Sequence, residues 1–197
     1  MLHEQFEIGA ICRPLLPQEP SGDAFAVIED ADCLTVVIVD GVGHGPLAHT
    51  AAHAAVKSIQ RTLSRSPRAA LGSVLEECHE ALRGTQGAAV GLCRFDPRGG
   101  SASYLGVGNT TFLRHPNRDG AGVSLPGIVG LRMRTLRAFD TELVSGDLYA
   151  FHTDGVARSF TLSDYTQLPL SIAAKQALRN HGKITDDAAI LMVRFRS

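Results

Sequence analysis

The chain has 197 residues, 44% of them hydrophobic and 20% charged, a balance that fits a globular protein and excludes a disordered or fibrous one. Lys and Arg number 19 against 20 for Asp and Glu, so neither the electrostatic footprint of a nucleic-acid binder nor a polybasic membrane anchor is present. No apolar run approaches the roughly 20 residues a bilayer crossing needs, and residues 1–5 carry no basic or apolar leader, so the expected setting is the cytoplasm.

Phe6, Ile8, Ala10 and Cys12 alternate with mostly polar neighbours, the period of a half-buried strand. A second strand is predicted at 24–29. Residues 34–39 form an apolar, β-branched run that predicts a strand buried on both faces, ending at Asp40 and a glycine-rich turn. Pro46 suits the first position of a helix, and Ala48, Ala51, Ala52, Ala55, Val56 and Ile59 keep one face of it apolar. Ser66-Pro67 reads as the N-cap and first residue of a second helix running through Arg83. After Gly87 the pattern turns to strands, at 88–95, 102–107, 110–114, 135–143 and 148–153, with Gly99-Gly100 and Gly108-Asn109 as turns between neighbouring strands. A helix at about 171–180 precedes a last strand at 188–195. Strands, two helices, more strands, a helix and a strand do not alternate as βαβα. They predict an α+β fold with antiparallel sheets, in one domain over residues 1–197. Cys12, Cys33, Cys78 and Cys93 stand singly, without a CxxC, and read as reduced, buried thiols.

The chemistry-bearing signal is the placement of aspartates. Asp23 opens a strand, Asp40 and Asp154 each close an apolar run and are followed by glycine, and Asp186-Asp187 open the last strand. Each motif alone is an ordinary turn. Gathered in one domain, ionised carboxylates repel unless a cation holds them, and hard cations such as Mg²⁺ and Mn²⁺ take oxygen ligands of this kind. A dinucleotide reading of Gly41-Val42-Gly43-His44-Gly45 fails, because the third glycine falls one position early and Pro46 sits where the last should be.

Ser21-Gly22-Asp23, residues 39–45, His152-Thr153-Asp154-Gly155-Val156 and Asp186-Asp187-Ala188-Ala189-Ile190 resemble, in this order, the PPM-type metal-dependent serine/threonine phosphatases. The match is closest to their bacterial SpoIIE-like, stressosome-phosphatase branch, with Gly87-Ala88-Ala89 and Gly106-Val107-Gly108-Asn109 in support. The resemblance runs from about residue 6 to 195. It implies an αββα sandwich of two antiparallel sheets flanked by helices, with two Mn²⁺ or Mg²⁺ ions at one edge. It further implies that Asp40 bridges both metals, that the Gly41 carbonyl completes one site, that Asp154 and Asp186 hold the other, and that Asp23 stands behind them. The three carboxylates Asp40, Asp154 and Asp186 would then carry the catalysis, an activated water attacking phosphorus in line. The substrates implied are phosphorylated stressosome proteins of the RsbS and RsbR type, which carry STAS domains, and the outcome is a reset of the stress response. Two alternatives stand beside this reading: a SpoIIE-like phosphatase of an anti-anti-sigma factor, and a pseudophosphatase that binds phosphoproteins without hydrolysing them.

The sequence departs from the family at several points. Val42 occupies a position where many members carry a histidine, and His44 lies two further on. Asn109 stands where some members carry an acidic residue for a third metal. Eukaryotic members carry a phosphate-gripping arginine upstream of the first acidic motif, where Arg13 is the residue available here. Arg132, Arg134 and Arg137 form a basic stretch able to steer an acidic partner.

Overall fold

The structure, a computed structural model, describes residues 4–30, 32–117 and 122–196; the leader reading rests partly on residues 1–3, outside this range. Nine strands and three helices follow in chain order among these residues: β1 (Phe6–Arg13), β2 (Asp23–Glu29), β3 (Leu34–Gly41), α1 (Gly45–Arg65), α2 (Leu71–Ala81), β4 (Ala88–Asp96), β5 (Ser101–Val107), β6 (Thr111–His115), β7 (Phe139–Glu142), β8 (Leu148–His152), α3 (Leu170–His181) and β9 (Ala188–Phe195). They form two antiparallel sheets, one ordered β2-β3-β4-β5-β7 and one ordered β1-β9-β8-β6. No helix among the described residues is long and apolar enough to cross a membrane.

The alternation of side chains along each strand builds the layers. On β3, Val37 and Val39 face α1 and α2, while Leu34, Val36 and Ile38 face the other sheet. On β9, Ala189, Leu191 and Val193 enter that same central core, and Ala188, Ile190 and Met192 pack under α3. Strands covered on both faces therefore read as unbroken apolar runs. The result is helix, sheet, sheet, helix. All four cysteines are free thiols, and Cys33, Cys78 and Cys93 are buried.

Three sequence expectations are corrected. The second helix begins at Leu71, with Ala70 rather than Ser66 at its N-cap. Residues 66–69 instead make a turn closed by the Ala69 amide on the Ser66 carbonyl at 3.0 Å, and Arg68, paired with Asp32 and Asp96, fixes that turn. The strand predicted over 135–143 pairs only at Phe139–Glu142, because Met133 and Leu136 pack against the helix-side core. Gly108-Asn109 is not a hairpin turn: β5 and β6 lie in different sheets, so this turn crosses the edge of the sandwich.

One polar clasp joins the sheets through their interior. Arg114 of β6 donates from Nε to Asp147 at 2.8 Å, from Nη2 to the same carboxylate at 2.6 Å, and to the Thr141 hydroxyl of β7. Both charged side chains are 1% exposed.

Candidate metal centre

The site grows from strand ends. The β2–β3 register sets Asp23 directly opposite Asp40. β8 runs out into Thr153 and Asp154, and the segment entering β9 carries Asp186 and Asp187. Two glycines allow the close approach. A Cβ on Gly41 would lie 2.2 Å from the Ala48 carbonyl oxygen of α1, and one on Gly155 would lie 1.8 Å from that of Asp187. The Asp-Gly pairs therefore serve backbone contact as well as turning.

Asp40, Asp154 and Asp186 line one cleft of about 570 Å³, with Asn109, His44 and Ile128 on its walls. Asp40 comes from one sheet and the other two from the far sheet, so the cleft lies where the two sheet edges meet. Asp23 is buried behind Asp40 and accepts a 2.6 Å hydrogen bond from the Thr153 hydroxyl. That hydroxyl in turn accepts from the Ala189 amide at 3.0 Å, tying the two sheets together under the carboxylates. The adjacent aspartates diverge: Asp186 lines the cleft, whereas Asp187 is buried and accepts the Leu15 amide at 2.7 Å and the Gly22 amide at 2.9 Å.

The electrostatics follow from this crowding. Burial, with the Asp40 charge next, pushes the Asp23 carboxyl up to about 8. Burial and the neighbouring Asp154 charge push Asp40 up to about 7. Asp186 is raised for the same reasons. Asn109 supplies part of the compensation, donating from Nδ2 to Asp154 at 2.7 Å and lowering Asp40 by a further side-chain hydrogen bond. Among the described residues no three His, Cys, Asp or Glu side chains close around a single point. The amide of Asn109, between Asp40 and Asp154, is where partial positive charge enters instead. The donor set is hard oxygen, and a hard divalent cation fits it by charge and by chemistry.

Other candidates fall elsewhere. The Arg13 guanidinium turns from the cleft to the backbone carbonyls of Lys183 and Asp186, the latter at 3.2 Å, so it braces the segment that presents Asp186. His44 stands at the rim, 4.0 Å from the Glu19 carboxylate. The rings of His49 and His53, on α1, lie 4.1 Å apart and tilted by 47°, and His49 Nδ1 meets the Ser21 carbonyl. Sequence reasoning missed Thr153 as the tie, Asp187 as a backbone clamp, and Asn109 as a bridge. A hydroxyl immediately before a strand-end aspartate was the available signal for the first.

A family model described as Stage II sporulation protein E (SpoIIE) matches residues 30–196. The phosphoserine phosphatase RsbX of Bacillus subtilis (strain 168) is 25% identical over 137 residues, spanning 68% of this chain and 67% of that protein. A solved chain described as "The bacterial stressosome: a modular system that has been adapted to control secondary messenger signaling" superposes with a TM-score of 0.87 at 29% identity, covering 96% of this chain and 99% of its own. A crystal structure of RsbX in complex with magnesium superposes at 0.83 with 18% identity, covering 98% and 96%.

Proposed function

The chain belongs to the SpoIIE family of PP2C-type serine/threonine protein phosphatases, and from that premise we propose that it is a cytoplasmic, Mn²⁺- or Mg²⁺-dependent hydrolase of phosphoserine or phosphothreonine in stressosome proteins of the RsbS and RsbR type. The observation that carries the metal dependence is the cleft itself: carboxylates from both sheets share it, and burial with the neighbouring Asp154 charge holds Asp40 and Asp186 above their ordinary range. The stressosome substrates are supported by the 29% identity to a chain solved under that name.

In this reading Asp40, Asp154, Asp186 and the Gly41 carbonyl would hold two ions, with Asp23 behind them. When bound, divalent cations supply Lewis-acid activation of water near neutral pH and neutralise phosphoryl charge. The protein's own residues fix the geometry. Thr153 holds Asp23, the Asn109 amide orients Asp154, and Arg13 braces the carbonyl of Asp186. Among the described residues no cysteine or serine lines the cleft, so none is placed there to form a covalent phosphoenzyme. The full carboxylate set weighs against a pseudophosphatase.

Hydrolysis of p-nitrophenyl phosphate and of a phosphoserine STAS-domain protein, with Mn²⁺ or with chelator, tests the proposal. Turnover in Mn²⁺ that chelator abolishes is expected, and Asp40→Asn should lower kcat by at least about 100-fold, the scale of losing one preorganised charge at the reacting centre. A folded protein inert in both metals would refute it.

A further inference from the structure

Beside the metal cleft, and sharing Gly108, Asn109 and Asp154 with it, lies a second depression of about 480 Å³. Arg158 and Lys183 stand on its walls, with the hydroxyl residues Thr110, Thr111 and Ser124 also lining it. Among the described residues, Asp154 at the junction is the one carboxylate that lines it. The Lys183 ammonium donates to the Asp154 carbonyl, which holds its charge at the border between the two depressions. Arg158 is exposed and has no hydrogen bond or ion pair among the described residues. Other arginines are held by carboxylates, Arg68 by Asp32 and Asp96, Arg114 by Asp147 and Arg194 by Glu7, while Arg132, Arg134, Arg137 and Arg179 share the lack of a carboxylate partner among the described residues but line neither depression. A solvated arginine on an open face is commonplace. This one lines a concave surface continuous with the site of chemistry, and its planar fork of donors is suited to a carboxylate or a phosphoryl group.

We propose that this depression is a subsite for an anionic side chain neighbouring the phosphoresidue, gripped by Arg158 and Lys183, so that the enzyme selects acidic phosphopeptides. The anion is a carboxylate or a second phosphoryl group. The proposal rests on the phosphatase reading above and adds a specificity that the metal centre cannot supply. Metal ions recognise the phosphoryl group alone, and every phosphoserine presents the same one.

The test uses four phosphoserine peptides of one sequence, flanked by Asp, by a second phosphoserine, by Ala or by Lys. For the full-length protein in Mn²⁺, kcat/KM is measured for each, and binding is measured separately by fluorescence anisotropy. The wild type should favour the Asp or diphosphorylated peptide over the Ala peptide by about fivefold, the size expected of one partly exposed ion pair. The difference should sit mainly in KM. Arg158→Ala should bring the ratio to about one, and Arg158→Glu should turn it toward the Lys peptide. Preference for the diphosphorylated peptide alone identifies the anion as phosphoryl; preference for both identifies a general acidic subsite. Equal kcat/KM for all four peptides in the wild type, or an unchanged ranking in both variants, overturns the subsite while leaving the phosphatase reading intact. Charge-ranked binding that Arg158→Glu inverts, without hydrolysis of any peptide, keeps the subsite and removes the phosphatase reading.

Discussion

Asp186 and Asp187 are neighbours in sequence with opposite tasks, and substitution should separate them. Asp187 accepts two backbone amides in a buried setting, so Asp187→Ala strands both donors and should cost about 1–3 kcal/mol for each, read as a lower denaturation midpoint. Asp186→Asn removes one like charge from the cleft. It should leave metal-free stability equal or higher, while erasing turnover and the stabilisation by Mn²⁺. Protonation gives a second handle. Asp23 at about 8 and Asp40 at about 7, against an ordinary value of 3.8, mean that the native protein holds protons the unfolded chain has released. Their contribution to stability is thus fully present below pH about 4 and lost as pH rises through about 8. Denaturation in chelator should show stability falling between pH 5 and 8.5, and Mn²⁺ should flatten that slope; a metal-free protein whose stability rises over this window would contradict the crowding of carboxylates. The bridge made by Asn109 was not legible at this scale, because its partners arrive from 45 residues away and from the opposite sheet.

Between elements, the fold depends on two kinds of close contact. Gly155 lets the end of β8 touch the backbone entering β9. Gly155→Ala must part them, at a cost of about 1–3 kcal/mol for overpacking, and should weaken Mn²⁺ binding as Asp154 and Asp186 separate. The Arg114–Asp147 pair, 1% exposed on both side chains, reaches the other sheet through the Arg114 bond to Thr141. Arg114→Ala removes the cation that faces a buried carboxylate and should cost about 3–5 kcal/mol, visible as a drop in Tm. The strands that meet here were largely legible in the sequence. Residues 34–39 and 188–193 are covered on both faces and so carry unbroken apolar runs, which need no knowledge of the partner strand. What sequence did not convey was anything decided at a distance. Ser66-Pro67 has the chemistry of a helix start, yet Arg68 is drawn to Asp32 and Asp96 and the helix waits until Leu71. Residues 135–138 have strand character but are claimed by the contact of Leu136 with the helix-side core.

At the level of the whole molecule, the cleft exists only because two sheets pack face to face and bring their strand ends together at one edge, so a ligand bound there favours the assembled sandwich over the unfolded chain. Mn²⁺ at about 100 times its Kd should stabilise the protein by about 2.7 kcal/mol, measurable as a rise in Tm that chelator reverses. The wild-type Tm unchanged at millimolar Mn²⁺ would count against a metal centre in the native state.

β9 is the last strand in chain order, yet it lies inside its sheet, between β1 and β8. Because a domain generally folds as a unit, the five-stranded layer, whose last strand ends at Glu142, is fully covered by the second layer only when β9 has joined it. β1 pairs in its sheet with β9 alone, and the segment entering β9 also receives the backbone of Gly155 beside Asp154. The strand ends that carry Asp40 and Asp154 therefore come to face one cleft only when β9 is in place.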